Sequence, residues 1–280
     1  MPSDEVIISD PTSFKKKWLD IQADGAHTLH IVVDFDQTLT ANTSNEEHIR
    51  NSSWGVFEST QLRPKWFAEE YLGMFTKYSP MLWAETAPME ERNKQMDQWY
   101  MDTLDLAQRG DMRLEDFTKA AKANIVLPRD GMKDLFHIAR ELKIPVIVFS
   151  AGQGDFIESF LRYHDVLSDT VHVISNFYRF DGQGAVVGYM NPIVHSLNKN
   201  EGHPSYNMHA LAQERPNILL MGDFTHDIHM ADGEKHKTIL SMGILKGETE
   251  KTEDFKKAFD VVIAGEGSFR YPVELLGMLK

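Results

Sequence analysis

Five short apolar, largely β-branched runs constrain this chain more than any other feature: HIVVDF (30–35), PVIVFS (145–150), VHVISN (171–176), NILLMG (217–222) and VVIAG (261–265). Each predicts a strand buried on both faces. Between the later runs lie DGMKDLFHIARELK (130–143) and GDFIESFLRYHDVL (154–167), where apolar residues recur at helical spacing. Strands alternating with helices argue for a parallel sheet wrapped by helices, so the expected fold class is α/β with a Rossmann-like core.

Residues 41–125 break that rhythm. They are rich in Trp, Met, Glu and Lys, with helical spacing in PKWFAEEYLGMFTKY and MEERNKQMDQWYMDTLDLAQ, and predict a helical insertion between the first two runs. The expected division is therefore a core of 1–40 and 126–280 carrying an inserted unit of 41–125. NFYRFDGQGAVVGYM (176–190) alternates around an Asp-Gly turn and predicts a β-hairpin appended to the sheet. No internal repeat, low-complexity tract or Pro/Gly/Ser linker divides the chain further.

With 280 residues, 42% of them hydrophobic, the chain can build a sizeable core. Lys and Arg total 29 against 42 Asp and Glu, a formal charge of -13, which disfavours binding to nucleic acid polymers or anionic membranes. An anionic substrate then needs a locally positive site or a metal. The absence of cysteine excludes a disulfide scaffold, a thiol nucleophile and a Cys-based zinc site, and agrees with a reducing compartment. The polar N-terminus has no apolar signal region, and no run of about 18 apolar residues suggests a membrane span. A cytoplasmic protein is expected, in which the glycosylation-like Asn42-Thr43-Ser44 and Asn51-Ser52-Ser53 carry no sugar.

Four stretches carry candidate chemistry. Asp34 and Asp36 follow the first run; alternate side chains of an extended segment share a face, so both can address one ligand at a strand's carboxyl end, where open α/β sheets bind ligands. Two carboxylates this close call for a shared proton or a hard divalent cation such as Mg²⁺. The same stretch is also compatible with an acidic turn capped by Thr38. Asp223 and Asp227 in MGDFTHD follow a second run, and Asp227 would support a metal directly or from behind. In FSAGQGD, Ser150 and the small residues after it offer a hydroxyl and backbone amides to an anionic oxygen. Lys199 in HSLNKNEG supplies a balancing charge. His226 and His229, three apart, lack a third ligand and read as helix surface.

In this order, DFDQT, Ser150, Lys199 and GDFTHD resemble the four motifs of the haloacid dehalogenase phosphohydrolases. Over most of the chain, VVDFDQTLT, EERNKQMDQWY, PVIVFSAGQGD, VHVISNFYRFD, IVHSLNKN and NILLMGDFTHDIHMADG resemble the cytosolic 5'-nucleotidase type III, or pyrimidine 5'-nucleotidase, family. The resemblance implies an Mg²⁺-dependent enzyme that removes the 5'-phosphate of nucleoside monophosphates, with 41–125 as a helical cap. It implies that Asp34 attacks phosphorus and that Asp36 serves as acid and then base. Mg²⁺ would be held by Asp34, the Asp36 carbonyl and Asp223, with Asp227 in support. Ser150, Ala151 and Lys199 would hold the phosphate, and Thr103 in WYMDT would contact the substrate. Leu82 stands at the ungapped position of a family glutamate that reads the base, with Glu85 reachable by a shift. Trp54, Trp66, Trp83 and Trp99 are available to stack on a base, or to fill a helical core. The readings left beside this one are a phosphatase of another small phosphomonoester and a binding protein of the same fold that has lost turnover.

Overall fold

The computed structural model describes residues 4–84, 86–190, 192–200, 209–247 and 250–280. The chain opens with β1 (Glu5–Ile8) and α1 (Pro11–Asp24), then enters β2 (Leu29–Val33). Asp10 caps α1 by accepting hydrogen bonds from the Thr12 and Ser13 amides, with Pro11 in the first turn. The helices α2 (Lys65–Tyr78), α3 (Pro80–Trp83), α4 (Met89–Arg109) and α5 (Leu114–Lys122) follow. Pro64 and Pro88 stand just before α2 and α4, where the missing N–H removes no helical bond. The α/β alternation then resumes with α6 (Met132–Glu141), β3 (Val146–Gln153), α7 (Gly154–Tyr163) and β4 (Val171–Asn176). A hairpin of β5 (Tyr178–Phe180) and β6 (Val186–Tyr189) precedes α8 (His209–Glu214), β7 (Asn217–Gly222), β8 (Thr238–Lys246), α9 (Thr252–Ala258), β9 (Val261–Gly265) and α10 (Arg270–Gly277).

Seven strands form one sheet in the order β1-β9-β8-β7-β2-β3-β4. All neighbours are parallel except β1, which pairs antiparallel with β9 at the edge. The five apolar runs become β2, β3, β4, β7 and β9. Along β2, Ile31 and Val33 enter one apolar cluster while Val32 enters the other, and β3 and β7 divide their side chains in the same way. This alternation is why β2, β3, β7 and β9 have no polar face, each being covered on both sides; β4 departs from the expectation, because it ends the sheet and leaves His172 exposed.

The larger cluster continues without interruption from the sheet, through Phe35 and Leu39, to Val56, Phe57, Phe67, Leu106 and Phe117 of the 41–125 stretch. The helices of that stretch thus share apolar core with the sheet. The predicted hairpin forms, but as a separate two-stranded sheet. Its amides find partners elsewhere: Val186 N–H donates to Met112 O, and Leu114 N–H donates to Gly184 O, so it lies against the α4–α5 connection. Among the described residues no helix is long and apolar enough to cross a membrane.

Candidate active site

Three neighbouring strands bring the acidic motifs together. Val33 of β2 is in register with Met221 of β7 and with Val148 of β3, so Asp34, Asp223 and Ser150 all emerge at the same carboxyl edge. The Asp34 amide donates to Met221 O at 3.0 Å, tying the loop that follows β2 to β7. Gly222 permits the approach of the next loop, because a Cβ there would meet the Asp227 carboxylate at 2.4 Å.

Lys199 joins the two loops. Its Nζ donates to Asp34 Oδ1 at 2.5 Å and to Asp227 Oδ1 at 3.0 Å, and all three side chains are buried. Asp227 Oδ2 accepts from the Phe224 amide, which fixes the carboxylate from its other side. Asp223 accepts from Thr38 Oγ1 at 3.3 Å. Carboxylate oxygens of Asp34, Asp223 and Asp227 lie within 4.8 Å of one another, a spacing and donor chemistry that suit a hard divalent cation.

Burial pushes the Asp34 carboxyl up to about 7, with Lys199 opposing and Asp227 adding to the rise. Burial, then the charges of Asp34 and Asp227, drives Asp223 well above the usual carboxylate range. Burial works against the charge on Lys199, but Asp227 and Asp34 outweigh it and hold its pKa above the ordinary value. One ammonium therefore balances three crowded carboxylates, and the excess negative charge is of the kind a divalent cation relieves.

Asp36 takes its hydrogen-bond donors from the 41–125 stretch. Its two oxygens accept from Ser53, one from the backbone N–H at 2.5 Å and one from Oγ at 2.7 Å. Burial raises its pKa, and the Ser53 hydrogen bonds oppose that rise. Ser150 and Ala151 line the same cavity, of about 240 Å³, as the aspartates and Lys199.

A model of the pyrimidine 5'-nucleotidase (UMPH-1) family matches residues 37–280. The chain belongs to the pyrimidine 5'-nucleotidase family. It is 28% identical over its whole length to 89% of a Drosophila melanogaster 7-methylguanosine phosphate-specific 5'-nucleotidase. A Caenorhabditis elegans putative cytosolic 5'-nucleotidase 3 is 26% identical, with 93% of this chain and 71% of that protein covered. The crystal structure of cytosolic 5'-nucleotidase IIIB bound to cytidine superposes with a TM-score of 0.89 at 28% identity, covering 99% of this chain and 94% of that one. Phosphoserine phosphatase superposes with a TM-score of 0.52 at 18% identity, covering 88% of this chain and 97% of that one, and shares the fold.

In this 5'-nucleotidase the cavity runs from the aspartates to a wall contributed by the 41–125 stretch, which includes Trp54, Phe75, Leu82 and Trp99. Trp66 is half-exposed and does not line it. Thr103, for which the resemblance implies a substrate contact, is not among the residues that line this cavity. One helical turn beyond Trp99, it is 2% exposed and donates to Trp99 O, with its hydroxyl 3.9 Å from Met74 Sδ. Its side chain is engaged between α2 and α4. Glu85 lies outside the described residues, as does the side chain of Trp83.

Sequence reasoning missed two supports of the loop 34–40. One is the pair Asn51 and Ser53, inside a motif that reads only as a glycosylation match. Asn51, in the same motif, accepts from the Leu127 amide and donates to Ala41 O and Leu127 O, while Thr40 Oγ1 donates to Asn51 O. The other is Arg129. Its buried guanidinium donates to Thr38 O at 2.6 Å, to Gln37 O, and to Glu266 O at 2.5 Å. Gln37 has a φ of 60°, a left-handed conformation uncommon for a residue with a side chain, and these bonds hold it there. In the sequence Arg129 is marked by nothing more than its place before Asp130-Gly131.

Proposed function

We propose that this chain is a Mg²⁺-dependent phosphohydrolase that removes the 5'-phosphate of nucleoside monophosphates through an aspartyl-phosphate. The observation that carries the reading is the convergence of Asp34, Asp223, Asp227 and Lys199 at the floor of one cavity. The stretch 41–125 acts as a cap whose aromatic wall faces the nucleoside, and the enzyme works in the cytosol.

Asp34 would attack phosphorus, forming the Oδ–P bond as the bond to the nucleoside 5'-oxygen breaks. Asp36 would give its proton to that oxygen, releasing the nucleoside. Water would then attack the phosphorus of the aspartyl-phosphate while Asp36 takes its proton, which frees phosphate and restores both groups. Lys199 would orient Asp34 and, with Ser150 and Ala151, hold the phosphoryl oxygens. Asp34, Asp223, Asp227 and the backbone carbonyl of Asp36 would hold Mg²⁺, which when bound supplies charge neutralisation of the phosphate.

The test is phosphate release from a panel of nucleoside monophosphates and base-free phosphomonoesters, with and without Mg²⁺. Release that depends on the metal and on a nucleoside, and that vanishes in Asp34→Asn, is the expected result. Release only from base-free esters would move the substrate class, and no release with an unaltered Asp34→Asn profile would refute the reading.

A further inference from the structure

The cavity wall supplied by the 41–125 stretch carries a cation of its own. The Arg50 guanidinium lies 3.6 Å from the centre of the Phe75 ring, and both residues line the cavity. Arg50 is held in place by Glu58, whose buried Oε1 accepts from Nε at 2.7 Å and also from Nη2. Other aromatics of this wall are engaged with one another: Trp99 has stacked neighbours in Tyr78, 5.9 Å away at 17°, and Trp54, 6.0 Å away at 30°.

An aromatic wall selects a positively charged base by offering ring faces to the charge. Here the Phe75 face already holds a permanent cation, so that face is closed to a positively charged base, which would also be set against a like charge. A neutral base has no such penalty. Its carbonyl oxygens and unsubstituted ring nitrogens can accept from the guanidinium Nη1, which makes no hydrogen bond to the protein among the described residues, and its plane can lie along the guanidinium.

We infer that Arg50 sets the substrate class of this site: it admits nucleoside monophosphates with a neutral, acceptor-bearing base and rejects those with a positively charged base such as 7-methylguanine. The inference rests on the nucleotidase reading above.

The experiment measures kcat/KM of the Mg²⁺-loaded protein for GMP and for 7-methyl-GMP, which differ by one methyl and one charge, with CMP as a second neutral substrate. GMP is expected to be favoured by about tenfold or more, the scale of a like-charge contact at a recognition site. Arg50→Lys keeps the charge and retains most of that ratio; Arg50→Met loses it, with 7-methyl-GMP gaining relative to GMP. The ratio is taken within one preparation, so a partly folded variant does not distort it. A wild-type enzyme that hydrolyses 7-methyl-GMP as well as GMP overturns the inference, as does a ratio unmoved by Arg50→Met. Failure to hydrolyse all three nucleotides is a different outcome and sinks the nucleotidase reading itself.

Discussion

Ser53 grips Asp36 with both of its donors, N–H to Oδ1 and Oγ–H to Oδ2, across 17 positions of chain. Its Oγ also accepts from the Gln153 amide at 3.3 Å, and Gly152 leaves the room it needs, since a Cβ there would meet that oxygen at 2.1 Å. One hydroxyl thus joins the proposed acid, the β3–α7 turn and the entry into the helices.

Ser53→Ala removes one hydrogen bond to the carboxyl and leaves the backbone one. A bond to a charged group is worth about 1.5–3 kcal/mol, so kcat on nucleotides should fall about 10- to 100-fold. p-Nitrophenyl phosphate has a leaving group that needs little protonation and should lose much less. Ser53→Thr keeps the hydroxyl and should recover most of the rate. Equal losses on both substrates would mean that Ser53 does not act through Asp36.

The crowding of Asp34, Asp223 and Asp227 predicts how metal affinity varies with pH. Burial holds Asp34 protonated up to about 7 in the metal-free protein, and a metal must displace that proton. Mg²⁺ affinity should therefore weaken as pH falls from 8 to 6, as read by calorimetric titration. Asp223→Asn should weaken it by about tenfold or more at pH 8, on the scale of losing a metal-site partner. An affinity that is flat across this range, or unchanged in the variant, would place the metal elsewhere.

Arg129 is the support under the loop of Asp34 and Asp36. Its donors serve the carbonyls of Gln37, Thr38, Glu266 and Gly267 and the Asn42 side chain. Arg129→Met fills the space but leaves buried carbonyls without partners, and should lower unfolding free energy by about 3 kcal/mol. Chemical denaturation measures this. A loss below about 1 kcal/mol would show that the loop finds other donors or water.

What was legible in the sequence follows from distance along the chain. Asp34 and Asp223 could be read because each ends an apolar run, and a parallel sheet gathers such ends on one edge. β1 and β8 were not predicted: β1 is a half-exposed edge of four residues, and Ser241 and Gly243 interrupt the apolar pattern of β8. Gly243 sits where a Cβ would meet Phe259 at 2.4 Å, so packing from a later segment explains the interruption. Arg129 reaches Gln37 across 92 positions, and no local pattern encodes such a pairing. Thr103 shows the converse: a hydroxyl in a matching local motif whose helical face turns out to be engaged within the helices.

His164 gives a stability test independent of the metal. It follows α7 with its ring 4.4 Å from that of Phe160, it is buried, and its Nε2 has no hydrogen-bond partner among the described residues. Burial, with Lys133 adding repulsion, pushes its pKa down from 6.5 to about 4. The folded state thus keeps the ring neutral at pH values where the unfolded chain protonates it. Below pH 6.5 the unfolded state binds more protons, so stability must fall as pH drops from 6.5 towards 4, and the term vanishes above 6.5. His164→Leu removes the titration while filling the site. Between pH 7.5 and pH 5.0 the wild type should lose about 1 kcal/mol more than this variant, a figure kept below the full linkage value because the ring is only partly desolvated. Urea unfolding of both proteins at the two pH values measures the difference, and parallel losses would show that His164 protonates equally well in the folded chain.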